Sequence, residues 1–159
     1  MAGEGLTTCL WFDTEGEEAV RYYTGIFKDS TMGRISRYTE AGPGVPGSVV
    51  TVEFELNGQK FLALNGGPGR RFSEAISLVI TCADQAEVDY YWDRLSDGGQ
   101  EVACGWVTDR YGLSWQVVPA MLMDLITDPD PVKAKRVTEA MFTMKKLDVA
   151  ALQQAYAAA

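Results

Sequence analysis

The chain has 159 residues, 47% of them apolar and 23% charged, with 14 Lys and Arg against 22 Asp and Glu for a net charge of −8. Such a chain fits one globular domain, or two half-domains sharing a core, and buries roughly 70% of its unfolded surface without needing a disulfide or metal staple. The acidic balance argues against a nucleic-acid partner, which needs a basic footprint, and the absence of histidine excludes Ser-His-Asp and Cys-His triads and H-E-x-x-H zinc sites.

Thr7 to Asp13 mixes aromatic and small residues and reads as a strand. Thr14 stands three residues before Glu17, the spacing of a capping box that starts a helix. Val20, Tyr23 and Phe27 then recur at helical spacing. Ser30, Thr31 and Gly33 are expected to end that segment, and Arg34 to Glu40 to form a strand. The stretch 41–47, A-G-P-G-V-P-G, is a loop. Val50, Val52, Phe54 and Leu56 alternate with Thr51, Glu53 and Glu55, the period of a half-buried strand. Asn57-Gly58 is a strong hairpin signal, so Lys60 to Leu64 should return antiparallel.

Beyond Asn65-Gly66-Gly67-Pro68-Gly69 the order restarts. Ala75 to Cys82 is a β-branched, apolar strand. Asp84 and Glu87 have capping-box spacing, and Val88, Tyr91, Trp92 and Leu95 mark the buried face of a second helix that Asp97-Gly98-Gly99 ends. Val102 to Val107 and Leu113 to Val118 read as strands joined by the turn Asp109-Arg110-Tyr111-Gly112. Strand, helix and further strands thus occur twice, over 7–65 and 75–118, as a repetition of element order rather than of sequence.

From Pro119 the composition turns helical. Asp130-Pro131 places a capping residue before a proline, the favoured helix start. Val137, Ala140, Met141 and Met144 form an apolar stripe, and Asp148 can cap a last helix carrying Leu152 and Tyr156. Lys133, Lys135, Arg136, Lys145 and Lys146 cancel Asp124, Asp128, Asp130, Glu139 and Asp148, so the net charge lies entirely in residues 1–119. Cys9, Cys82 and Cys104 form an odd set without a C-x-x-C pair, which argues against a disulfide framework or zinc ribbon. Met1 to Thr8 lacks the features of a signal peptide, and no apolar run approaches the roughly 20 residues of a membrane span. A reduced, cytoplasmic protein without membrane contact is expected.

Several phrases, in order, carry a family resemblance: Cys9-Leu10-Trp11-Phe12-Asp13, Leu64-Asn65-Gly66-Gly67-Pro68, Glu74-Ala75-Ile76-Ser77, Cys104-Gly105-Trp106 and Asp109-Arg110-Tyr111-Gly112-Leu113-Ser114-Trp115-Gln116-Val117-Val118-Pro119. Together with Asp128-Pro129-Asp130-Pro131 and Met144-Lys145-Lys146 in the tail, so that the resemblance covers essentially the whole chain, they resemble the PhnB-like branch of the vicinal oxygen chelate superfamily, the glyoxalase/bleomycin-resistance/dioxygenase group. Members of this branch often carry the label 3-demethylubiquinone-9 3-methyltransferase. The resemblance implies an α+β fold of paired βαβββ modules, their mixed sheet curled into a cup around a small-molecule cavity, and a homodimer. On that basis residues 1–119 form the vicinal-oxygen-chelate-like domain, with modules at about 6–68 and 72–119, and 120–159 form a C-terminal helical extension.

Metal enzymes of the superfamily place His, Glu or Gln ligands on cup-facing strand positions. The resemblance puts those positions near Thr7, at Phe61, at Ala75 or Ser77, and at Gln116, the last in an Asp109-x-x-Gly112-x-x-x-Gln116 pattern where the metal enzymes end in Glu. None of these is a carboxylate or imidazole, and a divalent ion needs several such donors to offset its dehydration. The expectation is a lost metal site, which sets glyoxalase, dioxygenase and fosfomycin-type chemistry in doubt.

Period two puts Ser114, Gln116 and Val118 on one face, and Thr7, Cys9 and Trp11 on another. The expected ligand-binding residues are therefore Thr7, Cys9, Trp11, Asn65, Ser77, Trp106 and Gln116. Trp11, Trp106 and Trp115 suit an aromatic-lined pocket, although filling a core is an equally ordinary use of tryptophan. Cys9 and Cys104 lack the base, cation or helix start that activates a thiolate. The glycine-rich stretch 65–71 lacks a P-loop pattern and precedes a strand, so it reads as a crossover loop, with Arg70 and Arg71 as weak anion contacts. Glu53 and Glu55 are expected to face solvent, as is Glu74 at its strand entry. Neither a dinucleotide fingerprint nor a recognisable S-adenosylmethionine site is present, so no cofactor is expected.

The leading reading is a PhnB-like small-molecule-binding protein without a metal, able to sequester its ligand by shape and a few polar groups as in bleomycin-resistance relatives. The alternatives are a lyase or oxidoreductase with an atypical metal site, and the methyltransferase activity that the family label implies. A third class is a dimer whose tail helix recruits another protein through the stripe Val137, Ala140, Met141 and Met144.

Overall fold

The computed structural model describes residues 5–158, which divide into two compact units, one ending at Arg71 and the other beginning at Phe72. In the first unit β1 (Thr8–Phe12), helix α1 (Gly16–Ile26), β2 (Ser30–Arg37), β3 (Val49–Leu56) and β4 (Gln59–Asn65) follow in order. The sheet order is β1-β4-β3-β2, with β1 parallel to β4 and the other pairs antiparallel. Asn57 and Gly58 both take positive φ, 48° and 79°, the conformation of the tight turn that matches strand twist. Helix α1 packs on β3 and β4. Its Ala19, Val20, Tyr23 and Ile26 are buried, as are Leu10, Phe12, Val52, Phe54, Phe61 and Ala63 of the strands. Tyr23 lies 6.3 Å from Phe54, and Phe54 stacks 5.1 Å from Phe61. Burying each such side chain contributes about 1.5–3 kcal/mol.

The second unit repeats the pattern with β5 (Ser77–Cys82), α2 (Gln85–Ser96), β6 (Gln100–Glu101), β7 (Trp106–Thr108) and β8 (Ser114–Pro119), in sheet order β5-β8-β7-β6. Again the first strand is parallel to the last. Asp84 accepts from the Glu87 N–H, while the Glu87 carboxylate reaches back to the Ala83 N–H, the reciprocal arrangement expected from sequence. Three more helices follow: α3 (Leu122–Ile126), α4 (Pro131–Phe142) and α5 (Val149–Ala157). Asp130 and Asp148 cap the last two through the N–H groups of Val132 and Ala151. Leu122, Val137, Leu147 and Leu152 form a core with Met141 and Met144 against it. Of the α4 stripe, Val137 is thus buried by this chain's own helices and Met141 and Met144 are partly covered. Among the described residues no helix is long and apolar enough to cross a membrane.

Three expectations need correction. Helix α1 begins at Gly16, and no side chain of its own segment caps it. The cap comes from the end of β4: Asn65 Oδ1 accepts the Gly16 N–H at 2.8 Å, and Asn65 Nδ2 donates to Thr14 O and Val49 O. Strand β2 begins at Ser30, because the Ser30 hydroxyl satisfies the Thr24 carbonyl behind it while the backbone pairs with Leu56. Gly33 is no helix stop; it lies where the β2–β3 pairing shifts register, and a Cβ there would sit 3.2 Å from Glu53 O. Finally, Val102 to Val107 is not one strand. Cys104 (φ 59°) and Gly105 (φ 81°) are both left-handed and lie in the turn between β6 and β7, so that only Trp106 and Val107 of this stretch are strand.

Asn65 is almost fully buried, and both polar atoms of its side chain are used by backbone groups. A Cβ on Gly16 would come within 2.6 Å of Asn65 Oδ1, so Gly16→Ala must displace the cap. Both Gly16→Ala and Asn65→Ala should lower stability by about 1–3 kcal/mol, the cost of stranding buried polar groups. Urea denaturation checks this: the double variant should lose little more than either single one, because both remove the same bond.

Candidate functional site

Side chains alternate along a strand, and residues paired in register point to the same side of the sheet. In the first unit Phe61, Ala63, Val52 and Phe54 face α1, so the opposite face is fixed. It carries Cys9 beside Leu62 and Trp11 beside Leu64, with Glu53 opposite Leu62, Glu55 opposite Lys60 and Thr31 opposite Glu55. One end of this face opens into a cavity of about 510 Å³, lined by Thr7, Thr31, Arg34, Glu53, Glu55, Lys60 and Leu62 among others. Thr7 therefore lines the cavity. Cys9 and Trp11 lie outside its lining but share the face.

Glu53 and Glu55, which the alternation alone sends to solvent, line the cavity together with Lys60 and Arg34. Arg34 Nε stands 3.6 Å from Glu53 Oε1. The cavity wall thus carries two carboxylates and two cations alongside the aromatic residues Phe54 and Phe61. Sequence alternation separated two faces correctly but could not say that the polar one borders a cavity.

Trp11 is held as a wall. Its indole N–H donates to Gly67 O at 2.9 Å, and the Arg70 guanidinium lies 4.8 Å over its ring. A Cβ on Gly66 would collide with the indole. The glycines at 66 and 67 therefore let the loop close over an aromatic side chain, and Arg70 is engaged there. Asn65 lies apart from these residues, on the α1 side of the sheet, as the helix cap.

In the second unit Gln116 pairs with Val79 on one side and Trp106 on the other. Its Nε2 donates to Ser77 Oγ at 2.9 Å. Ser77, Trp106 and Gln116 thus come together on the face away from α2. The Ser77 O–H remains a donor, and the Gln116 carbonyl oxygen is an acceptor that the bond does not use. Trp115 does not join them: it is 2% exposed, on the core side, and its indole N–H donates to Asp109 Oδ2 at 2.9 Å. Asp109 is itself buried and accepts from the Tyr111 and Leu113 N–H groups. In the Asp109-x-x-Gly112-x-x-x-Gln116 pattern, the aspartate therefore locks the turn that sets the register of Gln116.

The positions that metal enzymes of the superfamily fill with ligands offer little here. Phe61 is 4% exposed and stacked on Phe54, Thr7 and Ser77 are hydroxyls, and Gln116 is a neutral amide. Among the described residues no three His, Cys, Asp or Glu side chains gather in a group able to hold a metal. This donor set does not fit a divalent ion.

Residues 4–118 match the family model described as 3-demethylubiquinone-9 3-methyltransferase. A Bacillus cereus PhnB protein carrying that label is 36% identical, with a TM-score of 0.67, over 74% of this chain and 100% of its own. Protein PA1353 from Pseudomonas aeruginosa, 16% identical, shares the fold with a TM-score of 0.61 over 74% of this chain and 98% of its own. The fosfomycin resistance protein FosX from Mesorhizobium loti, also 16% identical, gives 0.50 over 72% and 90%. No curated protein matches the chain.

Cys82 and Cys9 are not poised as nucleophiles. Burial, with the nearby Glu87 and Asp84 charges, pushes the Cys82 thiol up to about 12 from 9.0, against a lowering backbone hydrogen bond. Partial burial also raises Cys9. A raised thiol pKa keeps the neutral form at and above neutrality, so reactivity grows only at alkaline pH. Iodoacetamide at pH 8 should label Cys9 more slowly than a free thiol peptide, with a rate still rising above pH 9, and should leave Cys82 untouched until the protein unfolds. Mass mapping of the labelled sites reads this directly; rapid labelling of either residue at pH 7 would contradict it.

Proposed function

Because the chain belongs to the PhnB-like family that carries the 3-demethylubiquinone-9 3-methyltransferase label, within the vicinal oxygen chelate superfamily, we propose that it binds a small organic molecule on the sheet faces turned away from α1 and α2 without a metal. The observation that carries this reading is the Ser77–Gln116 hydrogen bond with Trp106 in register beside it. A fixed amide supplies one directional acceptor and the serine one donor. The indole supplies an apolar plane for a flat or hydrophobic group. Taken by itself, the corresponding face of the first sheet carries the Thr7 hydroxyl with Cys9 and Trp11.

Such a set recognises by shape and by a few neutral hydrogen bonds, which suffices for sequestration. It is poorly suited to Lewis-acid chemistry, because its two neutral oxygens do not offset the dehydration of a divalent ion. The family label does not decide between binding and methyl transfer, since a shared fold hosts many chemistries.

A thermal-shift screen of aromatic and heteroaromatic small molecules tests the reading. At least one compound should raise the melting temperature in a concentration-dependent way. Gln116→Ala and Trp106→Ala should each weaken that compound about tenfold, the loss expected for one buried hydrogen bond or ring contact, while the free variants keep nearly wild-type stability. A screen with no stabilising compound, or a ligand indifferent to both substitutions, would overturn it.

A further inference from the structure

The family match ends at residue 118, and the helices α3–α5 lie beyond it. The segment joining α4 to α5 is nonetheless bonded to the second unit at almost every residue. Met144 O accepts the Cys104 N–H and Lys145 O accepts the Gly105 N–H, both at 2.8 Å. Lys146 Nζ stands 3.1 Å from Asp89 and 3.3 Å from Asp93 on α2. The Gln85 side chain donates to Leu147 O and accepts the Val149 N–H. Leu147 is fully buried.

These bonds converge on the turn that leads into Trp106. Cys104 and Gly105 are both left-handed, so their N–H groups turn out of the β6–β7 connection, and the tail carbonyls take both. Gly105 is also squeezed: a Cβ there would lie 2.9 Å from Val117 O and 3.0 Å from Leu147. On its other side Gly105 O accepts the Val117 N–H. The turn is therefore fixed by β8 from one direction and by the tail from the other, and Trp106 is the next residue in the chain. The strained φ of Cys104, unusual for a residue with a side chain, persists where surrounding bonds over-determine it.

We propose that the 144–149 segment is a strap that positions Trp106 against Gln116, so that the tail helices tune the second ligand-bearing face. Met144 and Lys145 act through main-chain carbonyls, and Gln85 and Lys146 are positioning residues that hold the segment in place. The consequence for affinity rests on the ligand-binding reading above; the strap itself does not.

The test uses the full-length chain without any ligand. Fluorotryptophan labelling gives a resonance for each tryptophan, assigned by single Trp→Phe substitutions, and amide exchange is followed in parallel. Combined Gln85→Ala and Lys146→Ala substitutions, both outside the buried core, should shift or broaden the Trp106 resonance and leave that of Trp11 in place. Exchange at Cys104 and Gly105 should accelerate at least tenfold, while Val107 and Ile80 keep their protection. Restoring Gln85 and placing Arg at 146 (Lys146→Arg) should return the Trp106 signal. An unmoved Trp106 resonance, or acceleration spread evenly over the whole second unit, would overturn the proposal. Neither result depends on a ligand, so a failed ligand screen and a failed strap are told apart.

Discussion

In each unit one helix, α1 or α2, packs on the core side of the four-stranded sheet, and a strand sends alternate side chains to opposite faces. That constraint divides the sequence into two sets. Phe54, Phe61, Val107 and Trp115 go under a helix and supply the apolar burial that holds each unit together. Cys9, Trp11, Ser77, Trp106 and Gln116 go to the face the helix does not cover. The proposed ligand faces are thus a by-product of how a βαβββ unit can bury its core. A one-residue slip in register would exchange the two sets, which explains why the turn and cap interactions matter. Asn57-Gly58 fixes the register of β3 against β4, and buried Asp109 fixes that of β8.

Much of this was legible in the sequence because the signals are local. The Asn57-Gly58 turn, the Asp84–Glu87 box, the Asp130-Pro131 start and the Asp148 cap each depend on residues within four positions of one another. The family phrases and the doubled element order are also linear properties, and the family match and both sheets agree with them. What failed was non-local. The α1 cap comes from Asn65, 49 positions away from Gly16, and no spacing rule reaches that far. The break at Cys104-Gly105 depends on carbonyls at 144 and 145. Without them the apolar stretch from Val102 to Val107 looks like an uninterrupted strand.

The candidate site divides along the same line. Periodicity assigned the shared faces of Thr7, Cys9 and Trp11, and of Ser114, Gln116 and Val118. It could not show that Gln116 bonds Ser77, because that contact crosses strands 39 positions apart. Nor could it reveal that Glu53 and Glu55 border a cavity opposite Lys60 and beside Arg34. Alternation sorts residues between faces but leaves open whether a face meets bulk water or a concavity. Trp115 shows the reverse error: an aromatic residue next to the motif glutamine is drawn into the core by a buried carboxylate.

The chemistry open to the uncovered faces follows from their donors. Hydroxyls, one amide and indoles recognise neutral and aromatic groups, and the charged residues of the first cavity nearly cancel one another. A resident divalent ion would require ligands that the carried-over positions do not provide. The most direct test is elemental analysis of tag-free protein, as purified and after exposure to manganese, iron, nickel and zinc, since a polyhistidine tag would bind metal by itself. The account predicts no metal near stoichiometry in any of these samples. About one metal ion per chain, retained through gel filtration, would contradict it.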